Sequence, residues 1–196
     1  MKIILRKRKK NRKHRTALLL MISVLILLCT VFVLFPNTGK ALVRRIFTGK
    51  TVPGPMEGPY RVAYVFDGDT IAVLKDNNEV TVRMIGIDTP ESVNRDKSKN
   101  TPEGLEVSLW LHERLKGSQV YLEYDEQRSD RYGRDLAYVW LEDGETLMED
   151  ELLKNGMAVT LPMEPNLRYS DRFADIEQQA RKEKAGFWGT GFFDQH

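Results

Sequence analysis

The residues of this 196-residue chain that could do chemistry fall in three short runs: Asp67-Gly68-Asp69-Thr70, Arg83 with Asp88-Thr89-Pro90-Glu91, and Asp130-Arg131-Tyr132-Gly133-Arg134. Carboxylates delivered by two separate loops suit a hard cation with oxygen ligands, such as Ca²⁺ or Mg²⁺. Two arginines suit forked contact with a phosphate and offset the charge that grows in a phosphoryl transition state. A glutamate beside them can activate or orient water. Taken together they outline metal-assisted phosphodiester hydrolysis. Each run alone has a plainer reading as a hairpin turn, a strand exit or a loop. It is their combination in one short domain that carries the inference.

Other chemistries are short of candidates. The three histidines are His14, His112 and His196, so a histidine-based hydrolase has almost nothing to work with. Cys29 is the single cysteine, which leaves no Cys/His cluster for zinc. Neither a GxxxxGK[ST] phosphate loop nor a GxSxG elbow occurs. The acidic stretch from Asp96 fails as an EF-hand, with Thr101 where glycine is needed and Val107 where the bidentate glutamate belongs.

The elements that must hold these runs are short strands and a few helices. Val80, Val82 and Met84 alternate with Thr81, Arg83 and Ile85, the period of a strand with one buried face. Pro90 ends regular pairing after it. Arg61–Phe66 and Thr70–Leu74 are rich in β-formers, and Lys75–Glu79 has hairpin-loop chemistry. Ser92–Asn100 reads as a polar loop. Thr101-Pro102-Glu103 signals a helix start, predicted to run to about Lys116 with Leu105, Leu109 and His112 along one stripe. Strands follow over Gln119–Tyr124 and Leu136–Leu141, then a helix over Leu147–Asn155. Ser170 is expected to cap a last helix displaying Phe173, Ile176 and Ala180, and the aromatic tail from Phe187 to Phe193 is expected to pack back on the body. The fold class is mainly β with helices: a five-stranded barrel of the oligonucleotide-binding type.

Charge is unevenly spread. The first 35 residues hold nine Lys or Arg and no acid, and the rest carries 21 bases against 28 acids, a net of −7. A domain of that sign does not attract nucleic acid in bulk; it needs a bound cation or a few placed arginines. Ala17–Phe35 is 19 residues without a charge, roughly 28 Å as a helix and close to the hydrocarbon thickness of a bilayer. The basic cluster before it predicts an N-terminus inside and the remainder translocated. This divides the chain into a basic tail (1–16), a transmembrane anchor (17–35), a Pro-rich linker (36–59), the barrel domain (60–190) and a tail (191–196). The alternative is a secreted protein, cleaved near Gly39-Lys40-Ala41; the length of the apolar core favours the anchor.

With DGDT, RxxxxDTPE, DRYGRxLAYVW and LLKNGMA in order over about Tyr60–Trp188, the sequence resembles the staphylococcal (micrococcal, or thermo-) nuclease family. The resemblance implies a five-stranded oligonucleotide-binding barrel with three α-helices. It also implies Ca²⁺ held by the carboxylates of Asp69 and Asp88 and the main-chain carbonyl of Thr89, with Asp67 beside them. Glu91 would activate or orient water, Arg83 and Arg134 would bind the phosphate in its transition state, and Tyr132 with Arg131 would line the nucleotide pocket. The implied reaction is Ca²⁺-dependent hydrolysis of DNA and RNA, endo and exo, leaving 3′-phosphates; a monomer is the default expectation. Leu161 and Met163 depart from the pattern, standing where the family has pocket tyrosines. A non-catalytic nucleic-acid- or protein-binding barrel at the cell surface is the alternative; the intact acids and arginines count against it.

Overall fold

In the computed structural model, which describes residues 53–94 and 96–195, the β-forming runs close into a barrel. The strands are β1 (Met56–Asp67), β2 (Thr70–Lys75), β3 (Asn78–Met84), β5 (Gln119–Glu123) and β6 (Asp135–Leu141), arranged in the order β1-β2-β3-β6-β5. Neighbours are antiparallel except β3 and β6, which run parallel, with Arg83 opposite Leu136. A two-stranded sheet outside the barrel pairs β4 (Ile87–Asp88) with β7 (Val159–Thr160). The interior follows the period of two: Ile71 and Val73, Val82 and Met84, Val120 and Leu122, Ala137 and Val139 are all fully buried. Asp76 and Asn77, with φ of 50° and 64°, form the tight turn of the β2–β3 hairpin, so that strand pairing begins at Asn78 rather than Val80.

Helix α1 (Pro102–Leu115) starts as its residues predict, with Thr101 Oγ1 accepting from the Gly104 N–H at 3.0 Å and proline at the first position. Its stripe is a correction. Leu105 and Leu109 are 56% and 58% exposed, and His112 is exposed too. The buried face is Gly104, Val107, Leu111 and Leu115. Both sets have helical spacing, and Val107, Leu111 and Leu115 are the ones that meet the barrel, each burial stabilising by about 1.5–3 kcal/mol.

Helices α2 (Met148–Lys154) and α3 (Ser170–Glu183) complete the expected three, and among the described residues a further single-turn helix, α4 (Phe187–Thr190), follows. Ser170 is the first residue of α3 rather than its cap; Tyr169 takes that place without a side-chain capping bond. Tyr169 is instead fully buried, edge-on to Tyr138 at 4.6 Å between ring centroids. The aromatic end packs back as expected: Phe187 and Trp188 are buried, and Phe192 and Phe193 lean on them. The folded body thus extends past 190, and β1 begins at Met56, inside the segment read as linker. The basic tail and the predicted membrane span lie outside the described residues, among which no helix is long and apolar enough to cross a membrane.

Candidate functional site

The site is built at the end of β3. Residues Val82 to Ile85 are all buried, so the strand is covered on both faces where Arg83 sits. A buried guanidinium must be fully partnered to be tolerated. Arg83 donates from Nη1 to the carbonyls of Met84 (2.7 Å) and Ile87 (2.9 Å), clamping the turn that leads into β4. Gly86 makes that turn possible with φ +84°, and a side chain there would also strike the Phe173 ring. The other nitrogen, Nη2, lies 3.0 Å from both Asp69 Oδ2 and Asp88 Oδ1. One nitrogen thus joins the carboxylates of two loops.

The first of those loops is the two-residue turn between β1 and β2. Thr70 pairs with Arg83 across the β2–β3 ladder, which sets Asp69 beside the arginine. Gly68 is needed here for space and not for conformation. A Cβ would lie 2.6 Å from Thr89 Oγ1 and 2.6 Å from Val107 Cγ1. Asp67 ties the turn to the strand exit: its Oδ1 accepts from Gly68 N–H (2.9 Å) and Ser92 Oγ–H (2.7 Å). The strand exit itself is pinned by α1. Thr101 N–H donates to the Glu91 carbonyl at 2.9 Å, and Gly104 fits against Pro90 and Glu91 so closely that a Cβ would sit 2.2 Å from the Glu91 oxygen.

Asp67, Asp69, Arg83, Asp88, Glu91 and Arg134 line one cleft of about 360 Å³. Thr89 is buried, and its hydroxyl has no partner among the described residues. Desolvation pushes the Asp69 carboxyl above its usual range, with the Arg83 charge opposing and Asp67 adding to the rise. Asp88 rises for the same first cause, helped by repulsion from Asp69, Glu91 and Asp67 and opposed by Arg83. Negative charge is crowded here beyond what the arginine neutralises.

That crowding, together with the donor chemistry, fits a hard cation. Two carboxylates, those of Asp69 and Asp88, come from one locality, each 3.0 Å from the same Arg83 nitrogen. Among the described residues no three His, Cys, Asp or Glu side chains converge on one point. A cation there would rest on two acids and water; the Thr89 carbonyl is added by the family resemblance alone.

Arg134 reaches the cleft from the loop before β6. Asp130 clamps it, accepting from its Nε at 2.7 Å and its backbone N–H at 3.0 Å. The same carboxylate takes the Tyr132 N–H at 2.8 Å, and Gly133, with φ +79°, lets the loop close. Burial pushes Asp130 up, but these bonds outweigh it and hold its carboxyl below the usual range. Tyr132 and Arg131 line a second hollow of about 420 Å³, with Arg134 as the wall shared by both spaces. Tyr132 is 69% exposed, its hydroxyl accepting from Arg131 Nη2 at 2.7 Å. Met163 lines this hollow, whereas the Leu161 main chain binds Gly86.

Sequence reasoning missed the positioning roles of Ser92, Asp130 and Gly104. Gly104 had a legible signal, a glycine in the first turn of a helix, where propensity argues against it. Ser92 and Asp130 had none, because hydroxyls and acids are ordinary in loops.

Comparison with known proteins decides the family. The family model described as "Staphylococcal nuclease homologue" matches residues 81–190. A thermonuclease of Staphylococcus hyicus is 37% identical over 179 residues, covering 91% of this chain and 99% of that protein. The chain belongs to the staphylococcal nuclease family. A thermonuclease of Staphylococcus intermedius is 38% identical over 66% of this chain and 75% of its own. Endonuclease YncB of Bacillus subtilis is 40% identical over 62% of this chain and 57% of its own length. The family model spans the second half of β3 from Thr81, the strand exit and the Asp130–Arg134 loop, and leaves the Asp67–Thr70 turn outside its match.

Proposed function

We propose that this staphylococcal nuclease family member is a Ca²⁺-dependent phosphodiesterase that hydrolyses DNA and RNA to 3′-phosphates. The observation that carries it is the single Arg83 nitrogen bridging Asp69 and Asp88 in a cleft shared with Glu91 and Arg134. The names of the relatives, thermonucleases and endonucleases, point the same way.

Asp69, Asp88 and the Thr89 carbonyl are the residues that would hold Ca²⁺, which when bound would neutralise the acids and polarise the phosphoryl oxygens. Arg83 keeps Nη1 on the Met84 and Ile87 carbonyls and turns Nη2 from the carboxylates to a phosphate oxygen. Arg134, aimed by Asp130, donates from the other side. Glu91 takes a proton from the attacking water, whose oxygen bonds to phosphorus as the P–O5′ bond breaks; the 5′ oxygen leaves with the bonding electron pair and takes its proton from solvent water, and Glu91 later returns its own to solvent. Tyr132 and Arg131 hold the adjoining nucleotide. The body acts as a monomer.

The test uses the full purified chain with plasmid and single-stranded DNA in Ca²⁺, in Mg²⁺ and in chelator. Cleavage with Ca²⁺ that falls about 10²- to 10⁴-fold in Glu91→Gln is the expected result; no cleavage with Ca²⁺ sinks the reading. For location, the uncharged 17–35 segment behind nine bases supports a single-pass anchor with the barrel outside the cytoplasm. Protease added to intact cells should then release the barrel, and soluble protein in the medium would instead favour the secreted form.

A further inference from the structure

The proposed hydrolysis leaves one part of its cleft without a role. Phe66 and Val93, 41% and 61% exposed, line the same space as Asp69, Arg83, Glu91 and Arg134. Phe66 is not alone. Tyr64, two residues earlier on the same face of β1, is 57% exposed, and the two rings meet edge to face with centroids 5.1 Å apart. Val65 between them turns into the barrel, so both rings stand on its outer face, where the β1–β2 register is irregular on either side. Two large rings in mutual contact and open to water are a surface that something of matching chemistry covers.

The chemistry of the cleft says what. A phosphate held by Arg83 and Arg134 has a nucleotide on each side. One enters the hollow of Tyr132, across Arg134. The other leaves the cleft past its remaining walls, among which Phe66 is the one aromatic ring. The hollow offers one aromatic ring, Tyr132, with Met163 among its other walls. The net charge of −7 beyond the first 35 residues also means that general attraction to a polyanion contributes little. Uncharged rings supply affinity that does not depend on that balance.

We propose that Tyr64 and Phe66 form a base-stacking platform for the nucleotide on the other side of the scissile phosphate from Tyr132. The proposal rests on the hydrolytic reading of the cleft. A base inside a duplex has both faces covered by its neighbours, so a ring can stack on it only once it is unpaired or flipped out. Every base has a π face, so the platform selects for strandedness and not for sequence.

The test is direct binding by the full chain carrying Glu91→Gln in Ca²⁺, with a single-stranded oligonucleotide containing 2-aminopurine. Stacking quenches the fluorophore. The expected result is quenching on binding, much weaker binding of the matching duplex, and a Kd raised about 5- to 140-fold when Tyr64 and Phe66 are both changed to Ala. Phe66→Trp should keep the quench, and Phe66→Leu, which retains apolar bulk without a ring, should lose it. Binding and quenching by the double variant equal to the parent would overturn the platform. So would an unquenched probe, which would assign the rings to contact with another protein. Cleavage by the unmodified chain is scored separately: quenching without cleavage removes the hydrolytic reading and leaves the platform, and cleavage without quenching does the reverse.

Discussion

Two regions of this barrel gather acids, and they treat them differently. Glu123, fully buried at the end of β5, is surrounded by donors: Gly54 N–H (2.6 Å) and Arg168 Nη1 (2.8 Å) on one oxygen, Trp140 Nε1 (2.7 Å) and Tyr169 O–H (2.9 Å) on the other. In the cleft, Asp69 and Asp88 share one nitrogen of Arg83, and both carboxyls are pushed up. A buried charge with a complete set of donors is part of the architecture. One with a deficit, at the edge of an open cleft, is poised for a ligand that the chain does not itself provide.

The sharpest way to break this comparison is at Arg83. Arg83→Ala should lower kcat/KM on DNA by about 10³- to 10⁵-fold, the range for an arginine that meets transition-state charge on phosphorus. A loss of stability without that loss of rate would move Arg83 into the architectural group. At the other region, Glu123→Ala should do the converse. It leaves Trp140 Nε1, Tyr169 O–H and Arg168 Nη1 without their acceptor, while Arg168 keeps Asp125, a cost of about 3–5 kcal/mol by denaturant titration, with turnover per folded molecule intact.

Gly104→Ala tests the link between fold and cleft. Helix propensity alone would make it stabilising; the Glu91 carbonyl 2.2 Å from the added Cβ makes it destabilising by about 1–3 kcal/mol, and it should displace Glu91 and slow cleavage. A gain in melting temperature with normal rate would refute the contact.

The smallest effect concerns Glu149, a fully buried acid on α2 that accepts from the Val139 N–H. Desolvation raises its carboxyl well above the ordinary value. The folded state therefore holds the proton more tightly than the unfolded chain. Its stabilising share is fully present below the unfolded glutamate pKa and is lost as pH rises through the raised folded value. Glu149→Gln should flatten that limb of the melting-temperature profile above pH 4.5, and parallel profiles would show that Glu149 does not titrate there.

Much of this was written locally. The hairpin at Asp76-Asn77, the Thr101 cap with Pro102, and the alternation through β3 each depend on residues a few positions apart, so nearest-neighbour chemistry reads them directly. The stripe on α1 was not legible because the helix carries two apolar sets, and only the barrel surface chooses Val107, Leu111 and Leu115 over Leu105 and Leu109. The grip of Asp130 on Arg134 and of Ser92 on Asp67 joins side chains whose types are common in any loop.

By itself the sequence determined which chemistry is possible: oxygen ligands, two arginines and a glutamate, with no histidine or cysteine alternative in the barrel. It also carried the motifs that place the chain in its family. Only the tertiary structure decided that Arg83 is the joint between the two acid-bearing loops and that Phe66, with Tyr64 against its ring, stands at the same cleft. The reason is barrel closure. Pairing β3 in parallel with β6 brings the Asp130–Arg134 loop to the end of β3, and no local preference encodes a contact across some fifty residues of chain.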